Sequence, residues 1–423
     1  MNKLGVEQKN ERLLKTMYFA FFTTGMISTL LGAIQPNLKE TYNISYLLTG
    51  SAYSFHQIGN LCAVLLAGVL PYAIGRKKST AILYASLIIG VTMIIFTGPL
   101  MRLTGTPVLL LLAYTLTGVG RGTTSNITNV VVADTTQNKT AGLNILHAVF
   151  ACGALLSPFI LVAFSLINHS MGWRITLWIV AVFMLTVEFL FITSSMSNKP
   201  EQKKTVATAA NGEEIVKPFY KSFHYWLNVS ILLFYLCAES ANMGWLVTYF
   251  KDTGLMGQSF AQMTSSIMWI MIMAGRIMCA SVSGKVNRNK LVLVLAALNT
   301  AFFVLMISTR CMPVIIIGLL GMGFSMSGIY PTTLSTMKPE YNASPFAVGL
   351  CIGIATTGAI AMPLIVGAIA QNVTKTALAS GLTQTAAENI GVTSGISTIA
   401  VALSFMLILT IIKLILSRRE SSK

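Results

Sequence analysis

One apolar run after another fills this chain, and each is long enough to cross a lipid bilayer. A helix of roughly 20 apolar residues spans the hydrocarbon core, which is about 30 Å thick. Such runs are read near residues 14–36, 46–74, 79–100, 106–133, 141–166, 174–194, 223–250, 262–283, 290–308, 313–336, 344–370 and 393–417. Hydrocarbon holds no water to satisfy backbone N–H and C=O groups, so a helix is the expected form of each run. The fold class that follows is an all-α membrane protein with twelve transmembrane helices. Only 10% of the 423 residues are charged, against about 25% in a soluble domain.

A formal net charge of +16 would suit a nucleic-acid binder, but the placement of the charges argues for topology instead. With the N-terminus inside, the inward segments hold Lys3, Lys9, Arg12, Lys15, Arg76, Lys77, Lys78, Lys203, Lys204, Lys285, Arg288, Lys290, Arg418 and Arg419. The outward segments hold only Lys39, Arg102, Arg174, Lys251, Arg310 and Lys375. This is the positive-inside pattern. It predicts cytoplasmic termini and fits a bacterial inner membrane, with no nucleic acid as partner. The lead MNKLGVEQKNERLLK is charged and is followed by a span too long for a cleavable signal. The six cysteines are scattered, nearly all inside spans, and none has metal-ligand spacing. They read as small apolar packing residues.

Residues 195–222 are the one long polar stretch. They divide the chain into a bundle at 1–194, a flexible cytoplasmic linker and a bundle at 223–423. The halves echo each other. GALLSPFI, with Gly153 and Pro158, recurs as GAIAMPLI, with Gly358 and Pro363. Gly118-x-Gly120 recurs as Gly321-x-Gly323, Asp134 is matched by Glu340, and GRKK (75–78) has a weaker echo in NRNK (287–290). Their common offset, more than any one match, marks an internal repeat. Repeats of this kind place a substrate site near the midplane.

Twelve spans, a central linker and a basic loop after the second span resemble the major facilitator superfamily. GVLPYAIGRKK (68–78) is similar to that superfamily's loop motif G-x-L-a-D-r-x-G-r-k: Gly68, Leu70, Gly75, Arg76 and Lys77 match. Tyr72 stands where the family usually has Asp. Within the superfamily, LNILHAVFACGALLSP (143–158), YLCAESANMGWLVTYF (235–250) and GFSMSGIYPTTLS (323–335) resemble the fucose–galactose–glucose:proton symporter family. The resemblance implies two pseudo-symmetric six-helix bundles, helices one, four, seven and ten around the cavity, and a monomer.

Glu239 is the leading candidate for coupling. An acid in a membrane helix costs about 2.5–3.5 kcal/mol on insertion scales and persists when paired, hydrated or useful. It is suited to carrying a proton, or to a structural pair with Arg276. Asn242, Trp245 and Tyr249 follow it on one helix face. The Asn242 amide suits sugar hydroxyls, and Trp245 offers an apolar plate for a pyranose ring. Trp245 and Tyr249 also fit as interfacial anchors.

In the fourth span Arg121 has to face protein or water, as a substrate or coupling group or as the partner of Glu188. Asn126 and Asn129, one turn apart, are candidate substrate contacts. In the first span Gln35 is a site candidate, whereas Thr24 and Ser28 fit helix–helix hydrogen bonding. His147 of the fifth span gains weight as a coupling group from its family-like context; His56, Gln57 and Asn60 cluster in the second. Arg76 with Asp134, and Arg288 with Glu340, are candidate cytoplasmic latches, although an exposed pair is worth only about 0–1 kcal/mol.

There is no P-loop, no Ser-His-Asp or H-E-x-x-H arrangement and no zinc-ligand pattern. The sequence predicts neither an enzyme nor a cofactor or metal. The expected function is a secondary active transporter moving a small polar solute, a hexose before others, by alternating access with protons or sodium. Some members of the symporter family carry acids in helices one and four. Here the first span has none in its body and the fourth only Asp134 at its end, so an uncoupled facilitator stays open. So does drug or amphiphile efflux, given 22 Met and 21 Phe. Superfamily antiporters often have G-P and then G-G in the fifth helix; Ser157-Pro158-Phe159-Ile160 lacks that pattern.

Overall fold

The computed structural model describes residues 6, 8–67, 69–104, 108–196, 219–282, 285–338, 341 and 344–421. Most of the expected linker and the latch residue Glu340 lie outside them. In chain order the helices are α1 (Gln8–Ala33), α2 (Gln35–Tyr42), α3 (Tyr46–Ala67), α4 (Leu70–Ile74), α5 (Arg76–Ile95), α6 (Thr97–Thr104), α7 (Val108–Thr135), α8 (Lys139–Ile167) and α9 (Gly172–Ile192). After them come α10 (Phe223–Asp252), α11 (Gln258–Val282), α12 (Arg288–Ile307), α13 (Met312–Met326), α14 (Ile329–Ser335), α15 (Pro345–Ala379) and α16 (Gln384–Ser421).

Each of the twelve expected spans has its helix. By length and composition 10 qualify as membrane spans, α13 and α14 counting together. The other two are α3 and α7, whose polar residues (His56, Gln57 and Asn60; Arg121, Asn126 and Asn129) dilute their apolar character.

Three details depart from expectation. The second span stops at Ala67, and a short α4 follows before Gly75 turns the chain at φ 85°, a left-handed conformation that glycine adopts without strain. The tenth span breaks between Met326 and Ile329. Pro331 follows this break; it has no N–H for the carbonyl four residues back and clashes with it, so an unbroken helix is disfavoured there. The loop expected at 371–392 shrinks to residues 380–383, because Ala-, Gln- and Glu-rich stretches on both sides continue α15 and α16.

The chain forms two compact units, one of residues 1–44 and 51–206, the other of 45–50 and 207–423. In the first, α1 packs along α8, α5 against α7 and α9, and α9 against α1 and α8. The second repeats the scheme: α10 along α15, α12 against α13 and α16, and α16 against α10 and α15. Large side chains fill each interior, Trp173, Phe191 and Tyr84 in the first and Trp245, Phe250 and Phe303 in the second. Leu65, Val182, Phe189, Ile277, Val401 and Ile408 point outward, as a lipid-facing surface requires.

The repeated glycines sit at the helix crossings. A Cβ on Gly25 of α1 would lie 2.1 Å from the Phe150 carbonyl oxygen of α8, and one on Gly153 of α8 would lie 2.1 Å from the Phe22 carbonyl oxygen of α1. In the second unit a Cβ on Gly358 of α15 would lie 2.5 Å from the Leu233 carbonyl oxygen of α10. The structure also shifts one pairing read from the sequence. Gly120 meets Leu87 of α5 and Gly122 meets Asn60 of α3. Their counterparts by packing are Gly321, against Phe302 of α12, and Gly323, against Met268 of α11. The repeat therefore aligns Gly120-x-Gly122, not Gly118-x-Gly120, with Gly321-x-Gly323.

Candidate functional site

In the first unit the polar candidates lie along α1, α2, α3 and α7. Arg121 is half-buried and its Nε donates to Ser28 Oγ at 2.8 Å. Ser28 donates in turn to the Thr24 carbonyl oxygen at 2.7 Å, and Thr24 to that of Ala20 at 2.8 Å. The Ser28–Thr24 stripe thus supports helices and positions a guanidinium. Glu188 is not the partner of Arg121. Its Oε2 is buried with no hydrogen-bond partner among the described residues, and Tyr84 stands near it.

His56 Nδ1 lies 2.9 Å from Thr117 Oγ1, one helical turn before Arg121. Gln35, at the start of α2, is 2% exposed, and neither its Oε1 nor its Nε2 has a partner among the described residues. Unpaired buried amides are rare in folded proteins and call for an explanation.

Asn126 and Arg76 share the wall of one cavity of about 230 Å³, together with Pro71, Tyr72 and Thr80. Asn126, read as a substrate contact, is thus next to the basic loop. Asn129 spends its amide on the Ser125 carbonyl oxygen of its own helix at 2.6 Å. His147 is exposed on α8, its ring edge-on to Phe21 with 5.4 Å between centroids. The Arg76–Asp134 pair is formed, Nη1 to Oδ2 at 3.3 Å. Arg288 donates to the Ser335 carbonyl oxygen at 3.0 Å.

The second unit gathers its candidates on α10. Glu239 is half-buried, and the Tyr235 hydroxyl lies 3.1 Å from its Oε1 and 3.1 Å from the carbonyl oxygen of Met326, the last residue of α13. Tyr330 of α14 packs 6.2 Å from the Tyr235 ring, and the Arg276 guanidinium of α11 is within electrostatic reach of the same hydroxyl. The break in the tenth span thus puts a helix-end carbonyl at the same hydroxyl as the acid.

One turn beyond Glu239, Asn242 is fully buried, with both amide atoms unpartnered among the described residues. Trp245 is also fully buried. Its Nε1 donates to the Pro363 carbonyl oxygen at 3.1 Å, and its ring packs 6.1 Å from Tyr46. The structure places it in the helix packing beneath Asn242. Tyr46 in turn stands between two acids: its hydroxyl lies 2.7 Å from Asp252 Oδ2 and 3.3 Å from Glu388 Oε2.

Sequence reasoning missed Tyr235 and Tyr46. Tyr235 was legible in principle, four residues before Glu239 and so on the same helix face. The second acid beside Tyr46 comes from a helix more than 300 residues away in sequence, which no local pattern shows. Among the described residues no group of three His, Cys, Asp or Glu could hold a metal ion.

Residues 17–344 match the family model of the Major Facilitator Superfamily. The chain belongs to this superfamily. It is therefore an integral membrane transporter and not an enzyme. Two curated relatives within reach are a Protein TsgA homolog of Serratia proteamaculans and one of Yersinia enterocolitica. The first is 23% identical over 360 residues and the second 23% over 374. In both, the match covers 84% of this chain and 87% of the relative.

The superfamily fold is also plain in solved structures. A bacterial homologue of the human lysosomal transporter Spinster superposes with a TM-score of 0.74 at 12% identity, covering 96% of this chain and 97% of that one. A D-xylose–proton symporter gives 0.72 at 14%, covering 94% and 97%. The nucleoside transporter NupG gives 0.71 at 14%, covering 93% and 99%.

Proposed function

We propose that this superfamily member is a secondary active transporter of a small polar solute, a hexose first, driven by protons or sodium and working by alternating access. The observation that carries the reading is on α10. A carboxylate engaged by a tyrosine lies one turn from a buried amide with unused donors and acceptor. An acid that gains and loses a cation beside a group that pairs with hydroxyls supplies coupling and recognition on one helix face. In the first unit Gln35 offers a second such amide, and Arg121, held by Ser28, a fixed positive group.

In this reading Glu239 is the coupling residue, with Arg121 and His147 as secondary candidates. Asn242, Gln35, Asn126 and Asn129 contact the solute, and Trp245 closes the packing under Asn242. Arg76 with Asp134, and Arg288 with Glu340, act as latches. The positive-inside pattern supports cytoplasmic termini and the bacterial inner membrane. The stretches similar to the fucose–galactose–glucose:proton symporters favour sugar over nucleoside. The protein is proposed to work as a monomer.

The test is counterflow of radiolabelled glucose in proteoliposomes of the purified protein, competed by a panel of hexoses. Counterflow needs a working site and alternating access but no ion gradient. Saturable exchange blocked by particular hexoses is the expected result. No exchange by folded protein, with export of a hydrophobic dye instead, would replace the sugar reading with amphiphile efflux.

A further inference from the structure

A lysine is buried in the last helix with no acid paired to it among the described residues. Lys413 of α16 is 5% exposed. Its Nζ donates to Asn228 Oδ1 of α10 at 2.6 Å and to the Thr336 hydroxyl that follows α14. Both acceptors are neutral. Asn228 spends its amide N–H on the His224 carbonyl oxygen at 2.9 Å, which fixes its Oδ1 toward the lysine. Thr336 Oγ1 in turn lies 3.1 Å from that oxygen. The ammonium has three N–H groups, and these contacts use two.

Lys413 also lines a cavity of about 110 Å³ together with His224, Asn289, Lys338 and Tyr341, into which the third N–H can donate. No carboxylate is among its described lining residues. At about 30 Å³ per water in the liquid, the space takes a group the size of a few waters. Asn289 brings a buried Oδ1 without a partner among the described residues, and half a turn of that amide presents its N–H donors instead. A buried charge with neutral partners alone is costly, and proteins pair it.

We propose that this cavity is a binding site for a phosphate-class oxyanion, held by Lys413 from within and by Lys338 and His224 at its mouth. It lies where α10 begins and α16 ends, the side that the basic segments assign to the cytoplasm. Phospholipid headgroups and free phosphate both meet that surface, and both carry the oxyanion that the site would recognise. The inference stands apart from the transport reading, since none of these residues is a proposed solute or coupling contact.

The experiment uses the full-length protein, delipidated in neutral detergent. Inorganic phosphate is titrated at constant ionic strength against chloride, with the unfolding temperature as readout. Phosphatidylglycerol and phosphatidylethanolamine are compared in parallel by native mass spectrometry. The proposal expects saturable stabilisation by phosphate, preferential retention of phosphatidylglycerol, or both. Phosphate alone identifies a free oxyanion, and phosphatidylglycerol alone a headgroup.

Lys413→Met should weaken the effect at least about tenfold, the size of one lost charged hydrogen bond. If that variant does not fold, the double variant Lys338→Gln/His224→Gln is used at the mouth, with the same expectation. The proposal is overturned if neither probe binds the wild-type protein, or if the folded variant used binds as tightly as wild type.

Discussion

The acid on α10 shares the Tyr235 hydroxyl with the Met326 carbonyl oxygen, and this arrangement sets the residue-scale predictions. Glu239→Gln keeps the shape and removes the charge. Uptake driven by an imposed ion gradient should fall to background, while counterflow persists within about threefold, since exchange needs the site but not the coupling. Accumulation that survives the change would remove Glu239 from the coupling role. Asn242→Ala and Gln35→Ala should each raise the half-saturation concentration about tenfold, the value of one hydrogen bond to the solute. Unchanged half-saturation in both would sink their assignment as solute contacts. Glu239 and Asn242 were legible in the sequence because a polar residue in an apolar helix announces itself. That Trp245 is enclosed, and that Asn129 bonds its own helix, was not legible, because three or four residues of spacing fix a helix face and not its neighbour.

At the scale of elements, the crossing of α1 with α8 leaves no room for a side chain. Gly25→Leu pushes a Cβ into a backbone carbonyl, which no rotamer change relieves. Overpacking of this kind costs typically about 1–3 kcal/mol, so the detergent-solubilised variant should melt several degrees lower, read by intrinsic fluorescence; an unchanged melting temperature would mean the helices separate freely. Ten of the spans are long and apolar enough to be legible from hydropathy alone, and α3 and α7 form as helices despite their polar residues. The internal breaks of the spans were less legible. Pro331 was visible, but in lipid a proline is also tolerated within a helix; α8 and α15 contain Pro158 and Pro363 without breaking. The register of the glycine repeat slipped by two residues for a related reason. Identity of residue type was matched, whereas packing partners define equivalence.

For the molecule as a whole, charge distribution predicts the side each loop faces. The exposed native Cys311 sits in the segment between α12 and α13, on the outward side in this reading. A membrane-impermeant maleimide added to intact cells should therefore label it, and Cys311→Ser should abolish that signal. Labelling at Cys311 only after permeabilisation would invert the topology. Residues 45–50 join the second unit, a long-range choice that a linear reading lacks. The crossing of α1 with α8 carries one more consequence, for the timing of synthesis. The surface that α1 needs is translated roughly 130 residues later, on the order of ten seconds at ordinary elongation rates. Over that interval the first helix waits in the membrane without the neighbour that Gly25 meets. The helix carrying Glu239 and Asn242 waits about as long for α15, so in each half the first helix made stays without its main packing partner until late in synthesis.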